Sequence, residues 1–267
     1  MIRTWQITPR GTKEVHFPGA SSLDAVTRQL PEGYYTTFRT YDSCTRVIGL
    51  TAHLCRLPNA DASLLRRRLY RLLEPYRPAE ARVRLMETKQ GRVYISIEPL
   101  KLPPPAAYEK GVRAETVTLQ RTNPREKSTS FIGASDEERK KIAKLGIFEA
   151  LLVKNGRILE GMTSNFFYVL DGVLYTARRG ILLGVTRTMV IRAARGAGVQ
   201  VRYMPLKLDQ LPAVKEAFIT SSSRGIVPVI QIDEVRVGEG RVGELTKQVS
   251  AAYEAYVRQR AERIFPV

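Results

Sequence analysis

The stretch Glu160–Phe167, Glu-Gly-Met-Thr-Ser-Asn-Phe-Phe, decides the fold of this chain of 267 residues. The residues on either side predict two short strands, Arg157 to Glu160 and Asn165 to Leu170, because both are rich in residues that favour strands. Glu160 therefore stands at the end of a strand, directly before a turn of small polar residues. A carboxylate in that position is commonly a cap, so the stretch alone does not define a function.

Outward from this turn, strands outnumber helices and several strands pair locally. The further strands predicted after residue 110 are Gly111 to Leu119, Phe148 to Lys154, Val173 to Tyr175, Glu216 to Thr220 and Val227 to Ile232. The predicted helices are Asp136 to Leu145, Thr186 to Gly196 with Thr186 as the N-cap, and Lys247 to Ile264. This order favours an α+β or barrel-like domain over a parallel doubly wound sheet.

The first third of the chain predicts a smaller mixed domain. Its predicted elements are a strand from Tyr34 to Tyr41, helices from Thr51 to Leu57 and Ala62 to Leu73, and a hairpin of Arg82 to Glu87 with Arg92 to Ile97. Leu102-Pro103-Pro104-Pro105 then predicts a stiff, extended linker. We therefore expect a small N-terminal α/β domain over 1–101, a Pro-rich linker over 102–109 and a larger C-terminal domain over 110–267.

Charge is the unusual part of the composition, since 43 basic and 26 acidic residues give a net charge of +17. Basic residues are spread along the chain, and the one tight run, Arg66–Arg68, has the pattern of the solvated face of a helix. No zinc-finger spacing or basic heptad pattern appears. We therefore expect no nucleic-acid partner, and the basic surface suits an anionic cofactor or substrate.

Few residues are available for a metal or a disulfide. The chain has two cysteines and two histidines, at positions that match no metal-binding motif, so we expect no metal. No apolar run approaches the ~20 residues of a membrane helix, and the start of the sequence has no secretory pattern. These observations favour a cytoplasmic protein without a membrane partner.

Three segments carry residues suited to chemistry. Lys127 lies in a Ser/Thr-rich stretch between a strand and a helix, Glu160 ends a strand, and Gly184–Arg187 opens a helix. Singly, each has a structural interpretation, as a solvated charge, a cap and a helix start. Together they supply a lysine amine, a carboxylate and a helix N-terminus for an anion, which are the groups that pyridoxal phosphate requires.

On these segments the chain resembles the fold-type IV pyridoxal-phosphate enzymes, which include the branched-chain and D-amino-acid aminotransferases and 4-amino-4-deoxychorismate lyase. The resemblance runs from about Tyr34 to Ile232. It is densest in four segments that follow the family order, namely Glu160–Asn165, Gly172–Thr176, Ile181–Arg187 and Glu216–Ser223. The fold that it implies is a two-domain α+β fold, with a barrel-like C-terminal domain.

The resemblance also implies the cofactor, pyridoxal 5′-phosphate, and the residues that hold it. Lys127 resembles the family's Schiff-base lysine, which also carries a proton, and Glu160 resembles the partner of the pyridine nitrogen. The remaining cofactor-binding residues that it implies are Arg56, Ser164, Val185, Thr186, Ser221 and Ser222.

The predicted strand from Tyr34 to Tyr41 is the expected substrate side. Tyr35, Thr37 and Arg39 occupy alternate positions, so their side chains share one face of that strand. In the family this strand lines the active site, which implies that Arg39 meets a substrate carboxylate. The structural alternative is a strand face that packs against the rest of the domain.

The expected reaction is transamination between an amino acid and a 2-oxo acid, by a homodimer. Branched-chain family members have a tyrosine five residues after the lysine, where this chain has Ile132, which favours the D-amino-acid or lyase branches. The alternative function is therefore 4-amino-4-deoxychorismate lyase, in which the Thr37 hydroxyl would relay a proton to departing pyruvate. A non-catalytic basic binding protein on the same fold is the remaining alternative.

Overall fold

The computed structural model describes residues 1–265 and has the α+β class that the sequence predicts. The strands are β1 Arg3–Ile7, β2 Thr12–Val15, β3 Gly33–Arg39, β4 Arg46–Val47, β5 Ala81–Thr88, β6 Val93–Pro99, β7 Val112–Val117, β8 Glu149–Lys154, β9 Arg157–Gly161, β10 Asn165–Leu170, β11 Val173–Thr176, β12 Val201–Tyr203, β13 Leu206–Lys207, β14 Glu216–Ser221, β15 Gly225–Ile232, β16 Val235–Arg236 and β17 Glu262–Arg263. The helices are α1 Leu23–Arg28, α2 Leu50–Leu54, α3 Ala62–Leu73, α4 Pro105–Glu109, α5 Ser130–Ala134, α6 Asp136–Lys144, α7 Val185–Gly196 and α8 Glu244–Arg260.

The chain forms two compact units. The first unit consists of Met1–Lys101, Glu126–Gly133 and residues 259–265, and the second consists of Leu102–Arg125 and Ala134–Arg258. The predicted spans 1–101, 102–109 and 110–267 are contiguous, whereas these units are not. The reason is that two later segments of the chain hydrogen-bond to elements of the first unit.

The first unit is built on an antiparallel sheet with the strand order β2-β1-β6-β5-β3. Alternate residues of its strands, such as Phe38 and Val83, face α3 and form a buried core with its leucines. The helix begins where predicted because the side chain of Asp61 accepts hydrogen bonds from the amides of Ser63 and Leu64.

The last described residues belong to this first unit. The helix α8 ends at Arg260, so the predicted helix to Ile264 is wrong at its C-terminal end. Instead, β17 pairs with β4, and Ile264 is fully buried, with its amide donating to Thr45 O at 2.9 Å. A strand pair and a buried isoleucine therefore replace the last predicted turn of the helix. Sequence periodicity over so few residues does not distinguish a short strand from a further helical turn.

The second unit is built on a mixed, curled sheet with the strand order β12-β11-β10-β14-β15-β7-β8-β9-β13, and β16 pairs with β15. The neighbours β15, β7 and β8 run parallel, as do β11 and β12, and the other pairs are antiparallel. Asn155-Gly156 joins β8 to β9 and Asp171-Gly172 joins β10 to β11, and all four residues have positive φ, as a two-residue type I′ hairpin turn requires.

The helix α7 begins one residue earlier than predicted. Its N-cap is Gly184, so the predicted N-cap role of Thr186 is wrong, and Thr186 lies in the first turn. A glycine is required at the cap because a Cβ there would collide with Oδ1 of Asn165. No helix within residues 1–265 combines the length and apolar character needed to cross a membrane.

Candidate active site

The segment that carries Lys127 is hydrogen-bonded to β3. The amide of Tyr35 donates to Lys127 O at 3.0 Å, and the amide of Thr129 donates to Gly33 O at 3.0 Å. The amide of Gly33 in turn donates to Oγ1 of Thr129 at 3.0 Å. The Nζ of Lys127 lies 4.8 Å from the ring centroid of Tyr35, so the first unit places the lysine beside the predicted substrate strand.

Thr37 and Tyr35 share their face of the sheet with Arg84, a residue that the sequence analysis missed. Arg84 is 5% exposed, and its Nε donates to Oγ1 of Thr37 at 3.0 Å. Its Nη1 donates to Thr27 at 2.8 Å and forms an ion pair with Asp24 at 2.7 Å. The guanidinium also lies 4.7 Å from the Tyr35 ring centroid. Arg84 therefore fixes the position of the Thr37 hydroxyl oxygen.

Arg39, the third residue of this strand face, stacks on a ring. Its guanidinium carbon lies 4.6 Å from the ring centroid of Tyr41. Its Nε is buried, and among residues 1–265 it meets no hydrogen-bond acceptor. The arginine is therefore held in place mainly by its aromatic neighbour, with hydrogen-bonding capacity left for an anion.

Arg56 follows helix α2 in the first unit, three residues after His53. His53 is completely buried, and its Nδ1 lies 2.6 Å from Oγ1 of Thr36. Burial holds the pKa of His53 well below its ordinary value, and the charges of Arg56 and Lys127 act in the same direction. The neutral imidazole therefore adds no positive charge next to the two cations.

Glu160 is buried in the second unit, and its carboxylate accepts hydrogen bonds from Arg121, Leu182 and Asn165. Nε of Arg121 donates to Oε1 at 3.0 Å, and the amide of Leu182 and Nδ2 of Asn165 donate to Oε2 at 3.1 and 3.3 Å. Arg121 also donates to Met162 O at 2.9 Å, so the ion pair anchors the turn after β9. Arg121 was not predicted, because nothing in its local sequence indicates a partner so far along the chain.

A second buried carboxylate, Glu149, lies on the neighbouring strand β8. Its Oε2 accepts from Thr163 at 2.6 Å, Ser164 at 2.9 Å and Arg224 at 3.1 Å. Nε of Arg224 also donates to Oγ of Ser221 at 3.0 Å. The Ser164 hydroxyl, predicted to bind the cofactor, thus donates to a carboxylate. Through Thr163, Ser164 and Arg224, the Glu149 carboxylate joins the turn after β9 to the turn after β14.

The start of α7 forms an anion cradle in the second unit. Oγ1 of Thr186 lies 2.9 Å from Oγ of Ser222, and Gly184 offers no capping side chain. The first amides of a helix, which include those of Val185 and Thr186, have no acceptor within the helix. Two hydroxyls and a helix N-terminus form a donor set that fits a phosphate group.

The structure thus assembles the predicted residues within each unit. Lys127, Tyr35 and Thr37 form one group in the first unit, which also holds Arg39 and Arg56. The second unit holds the residues predicted for the ring and phosphate of the cofactor, which are Glu160, Ser164, Val185, Thr186, Ser221 and Ser222. No cluster of three or more His, Cys, Asp or Glu side chains able to hold a metal ion occurs within residues 1–265.

Comparison with known proteins decides the family. The family described as amino-transferase class IV matches residues 33–232, which span every group above. The chain belongs to the class IV aminotransferases. Members of this family use pyridoxal 5′-phosphate, and the phosphate cradle and buried carboxylate of the second unit suit that cofactor.

Two class IV aminotransferase relatives show how far the sequence similarity extends. A protein of Methanocaldococcus jannaschii, provisionally named a branched-chain-amino-acid aminotransferase, is 35% identical over 57% of this chain and 55% of its own length. D-alanine aminotransferase of Bacillus licheniformis is 26% identical over 85% of this chain and 88% of its own length. The chain therefore spans about half the length of the archaeal relative and most of the bacterial one.

A solved structure shares the fold. The crystal structure of a Thermotoga maritima protein, provisionally named a branched-chain amino acid aminotransferase, superposes with a TM-score of 0.78 over 96% of both chains at 25% identity. The predicted two-domain class IV aminotransferase fold is confirmed by this likeness.

Proposed function

We propose that the protein is a pyridoxal-phosphate-dependent aminotransferase that exchanges an amino group between an amino acid and a 2-oxo acid. The observation that carries the proposal is the cradle at the start of α7, where the hydroxyls of Thr186 and Ser222 lie 2.9 Å apart at an uncapped helix N-terminus. The buried carboxylate of Glu160 in the same unit supports it. The hydroxyls and helix amides suit a phosphate, and the carboxylate suits a protonated ring nitrogen.

The residues of the second unit would bind and orient the cofactor. The amides of Val185 and Thr186, with the hydroxyls of Thr186, Ser221 and Ser222, would hold the phosphate. The buried carboxylate of Glu160 is the acceptor that we propose for the ring nitrogen of the cofactor. Arg121 and Leu182 keep that carboxylate in one orientation. Ser164, in the turn between β9 and β10, is proposed to contribute to the same cofactor-binding site.

The residues of the first unit would act on the reacting atoms. Pyridoxal 5′-phosphate supplies an electron sink for negative charge that develops at the substrate α-carbon. Nζ of Lys127 would hold the cofactor covalently as its Schiff-base amine and move the proton at that carbon. Arg56 would add a charged, forked contact to the phosphate.

The strand β3 would form the substrate side. Arg39 has an unused buried Nε, which suits a substrate carboxylate. Oγ1 of Thr37 accepts from Arg84, so its own proton can be donated to a substrate group. Tyr35 lies between the cations of Lys127 and Arg84, at 4.8 and 4.7 Å, and its ring would shape the space beside the lysine.

The substrates are an amino acid and a 2-oxo acid, as the names of both groups of relatives indicate. The test is the half-reaction of protein loaded with pyridoxal phosphate, followed by absorbance on addition of single amino acids. The panel comprises L- and D-alanine, L- and D-glutamate, and the branched-chain amino acids. Conversion to the pyridoxamine form with one of them supports the proposal, and the reacting enantiomer identifies the branch. No conversion with the panel, together with pyruvate release from aminodeoxychorismate, would assign the lyase instead.

The proposal also covers the oligomeric state and the cellular location. We expect a homodimer, because fold-type IV active sites resemble pockets completed by a neighbouring subunit, and light scattering should give twice the chain mass of 30.1 kDa. A mass of one chain at micromolar concentration would contradict this. We also expect a cytoplasmic location, which the unpaired Cys44 and Cys55 support, and cell fractionation tests it.

A further inference from the structure

A basic cavity lies in the second unit, outside the residues assigned to the cofactor. Its volume is about 470 Å³, and its lining is Arg157, Arg178, Arg179, Tyr203, Met204, Pro205 and Lys207. The lining contains four cations and no carboxylate. We call this cavity the Tyr203 pocket. None of its residues belongs to the cradle at the start of α7.

The four cations of the Tyr203 pocket are exposed and have like charges as neighbours. Arg157 on β9 and Lys207 on β13 are direct cross-strand partners in the antiparallel register. Like charges directly opposite each other destabilise a strand pair. Arg157, Arg178, Arg179 and Lys207 form no ion pair with any residue of the range 1–265.

Three guanidinium groups surround the ring of Tyr203. Those of Arg178, Arg187 and Arg195 lie 5.3, 5.6 and 5.6 Å from its centroid. Arg187 is 4% exposed, and burial lowers its pKa, so its charge is costly here. The ring offsets part of this charge by cation–π attraction, but a ring carries no net negative charge.

We propose that the Tyr203 pocket binds a small polyanion, one with two or more closely spaced phosphate or carboxylate groups. Such a ligand would neutralise the Arg157 and Lys207 pair and would accept forked hydrogen bonds from Arg178 and Arg179. The cavity volume lies in the range of small-molecule sites, about 300–1,000 Å³. A concave pocket of this size suits a small ligand better than a nucleic acid, which needs an extended basic stripe.

The test is calorimetric titration of the 267-residue protein saturated with pyridoxal phosphate, so that the cofactor cradle is filled. Inorganic pyrophosphate and citrate are titrated separately, and a short single-stranded RNA is the third probe. We expect one molecule of pyrophosphate or citrate to bind per chain, and the better of the two identifies the anionic group. Binding that saturates only with RNA, or no binding of either small anion at millimolar concentration, would overturn the proposal.

A pair of variants separates a built site from general surface charge. Arg179→Ala with Lys207→Ala removes two lining charges and should weaken binding of the small anion at least about tenfold, the scale of one charged hydrogen-bonded contact. Arg192→Ala with Arg202→Ala removes the same charge from exposed residues that do not line the pocket, and should change binding less than about twofold. Equal weakening in the two double variants would show that net charge alone attracts the anion and would overturn the site.

Discussion

Glu160 and Glu149 are both 2% exposed, lie on neighbouring strands of one sheet and pair with an arginine at 3.0 and 3.1 Å, yet their surroundings differ. Three of the groups that bind Glu149 are side chains from two turns, and all three meet the same oxygen. The donors to Glu160 are divided between its two oxygens. Burial and an ion pair therefore do not distinguish a ligand-binding carboxylate from a bracing one. What separates the two is that the side chains bound to Glu149 tie two turns together.

The largest loss of activity is expected on replacing Lys127, the lysine that we propose to hold the cofactor. Lys127→Ala should retain the fold and lower kcat by roughly 10⁴-fold, because the amine that moves the proton is removed. Initial rates measure this, and borohydride reduction with peptide mapping should place the pyridoxyl label on Lys127 of the unchanged protein. The exposed Lys140, changed to Ala, is the control and should keep full activity. A label on another lysine would refute the assignment.

The next effect compares the two carboxylates directly. Glu160→Gln should lower kcat by about 10²-fold, the scale of one electrostatic contact in an active site. Glu149→Gln should lower kcat less than about tenfold, because it acts on the turns and not on the reacting atoms. Steady-state kinetics at saturating cofactor makes this comparison. A larger loss of kcat in Glu149→Gln would reverse the two roles.

The stability of the turns after β9 and β14 is a further test of the role of Glu149. Glu149→Gln leaves Arg224 without its countercharge, which should reduce the free energy of unfolding by about 2 kcal/mol, below the range for fully buried pairs because Arg224 is partly exposed. Urea unfolding followed by circular dichroism measures it. Glu98→Gln, which removes a more exposed ion pair with Arg82, is the matched control and should cost less than about 1 kcal/mol. Equal losses would mean that the Glu149 pair does not brace the turns.

The smallest effect concerns His53, a buried group of the first unit with no ligand role. Its pKa is depressed in the folded chain, so below the ordinary value near 6.5 the unfolded chain binds a proton that the folded chain does not. Stability is therefore fully present above that pH and falls as the pH decreases, by at most about 1.4 kcal/mol per pH unit. Thermal unfolding between pH 7.5 and 5.5 should show this loss.

Two substitutions assign that pH dependence. His53→Asn should flatten the dependence of Tm on pH, because the titrating group is gone and an amide can still bond to Thr36. His16→Asn, at an exposed position, should leave it unchanged. If the slope survives in His53→Asn, another group titrates in this range.

Local sequence patterns predicted most of the helices and strands. Very short strands and residues with distant partners were missed. The bounds of α3 and β10 match the predicted spans, because a capped leucine-rich helix and a strand bounded by two turns carry their own signals. The short strands β12 and β13 were missed, since three and two residues hold too little periodicity. Among the candidate site residues, Lys127 and Glu160 were proposed from motifs. Arg84, Arg121 and Arg224 were not, because their partners lie 47, 39 and 75 residues away.

The division of the first unit among three stretches of sequence affects how the chain is made on the ribosome. Its sheet is complete after β6, but two parts of that unit are translated only after the second unit. They are Ile264, which lies in its core, and the strand β17, which pairs with β4. The second unit is continuous apart from the insertion of Glu126–Gly133, and its sheet is finished once β16 has emerged. Domains usually fold in the order of synthesis. Here the first unit is completed only after the second, so a chain truncated before Gln259 should contain a protease-resistant second unit and a first unit that is still cleaved.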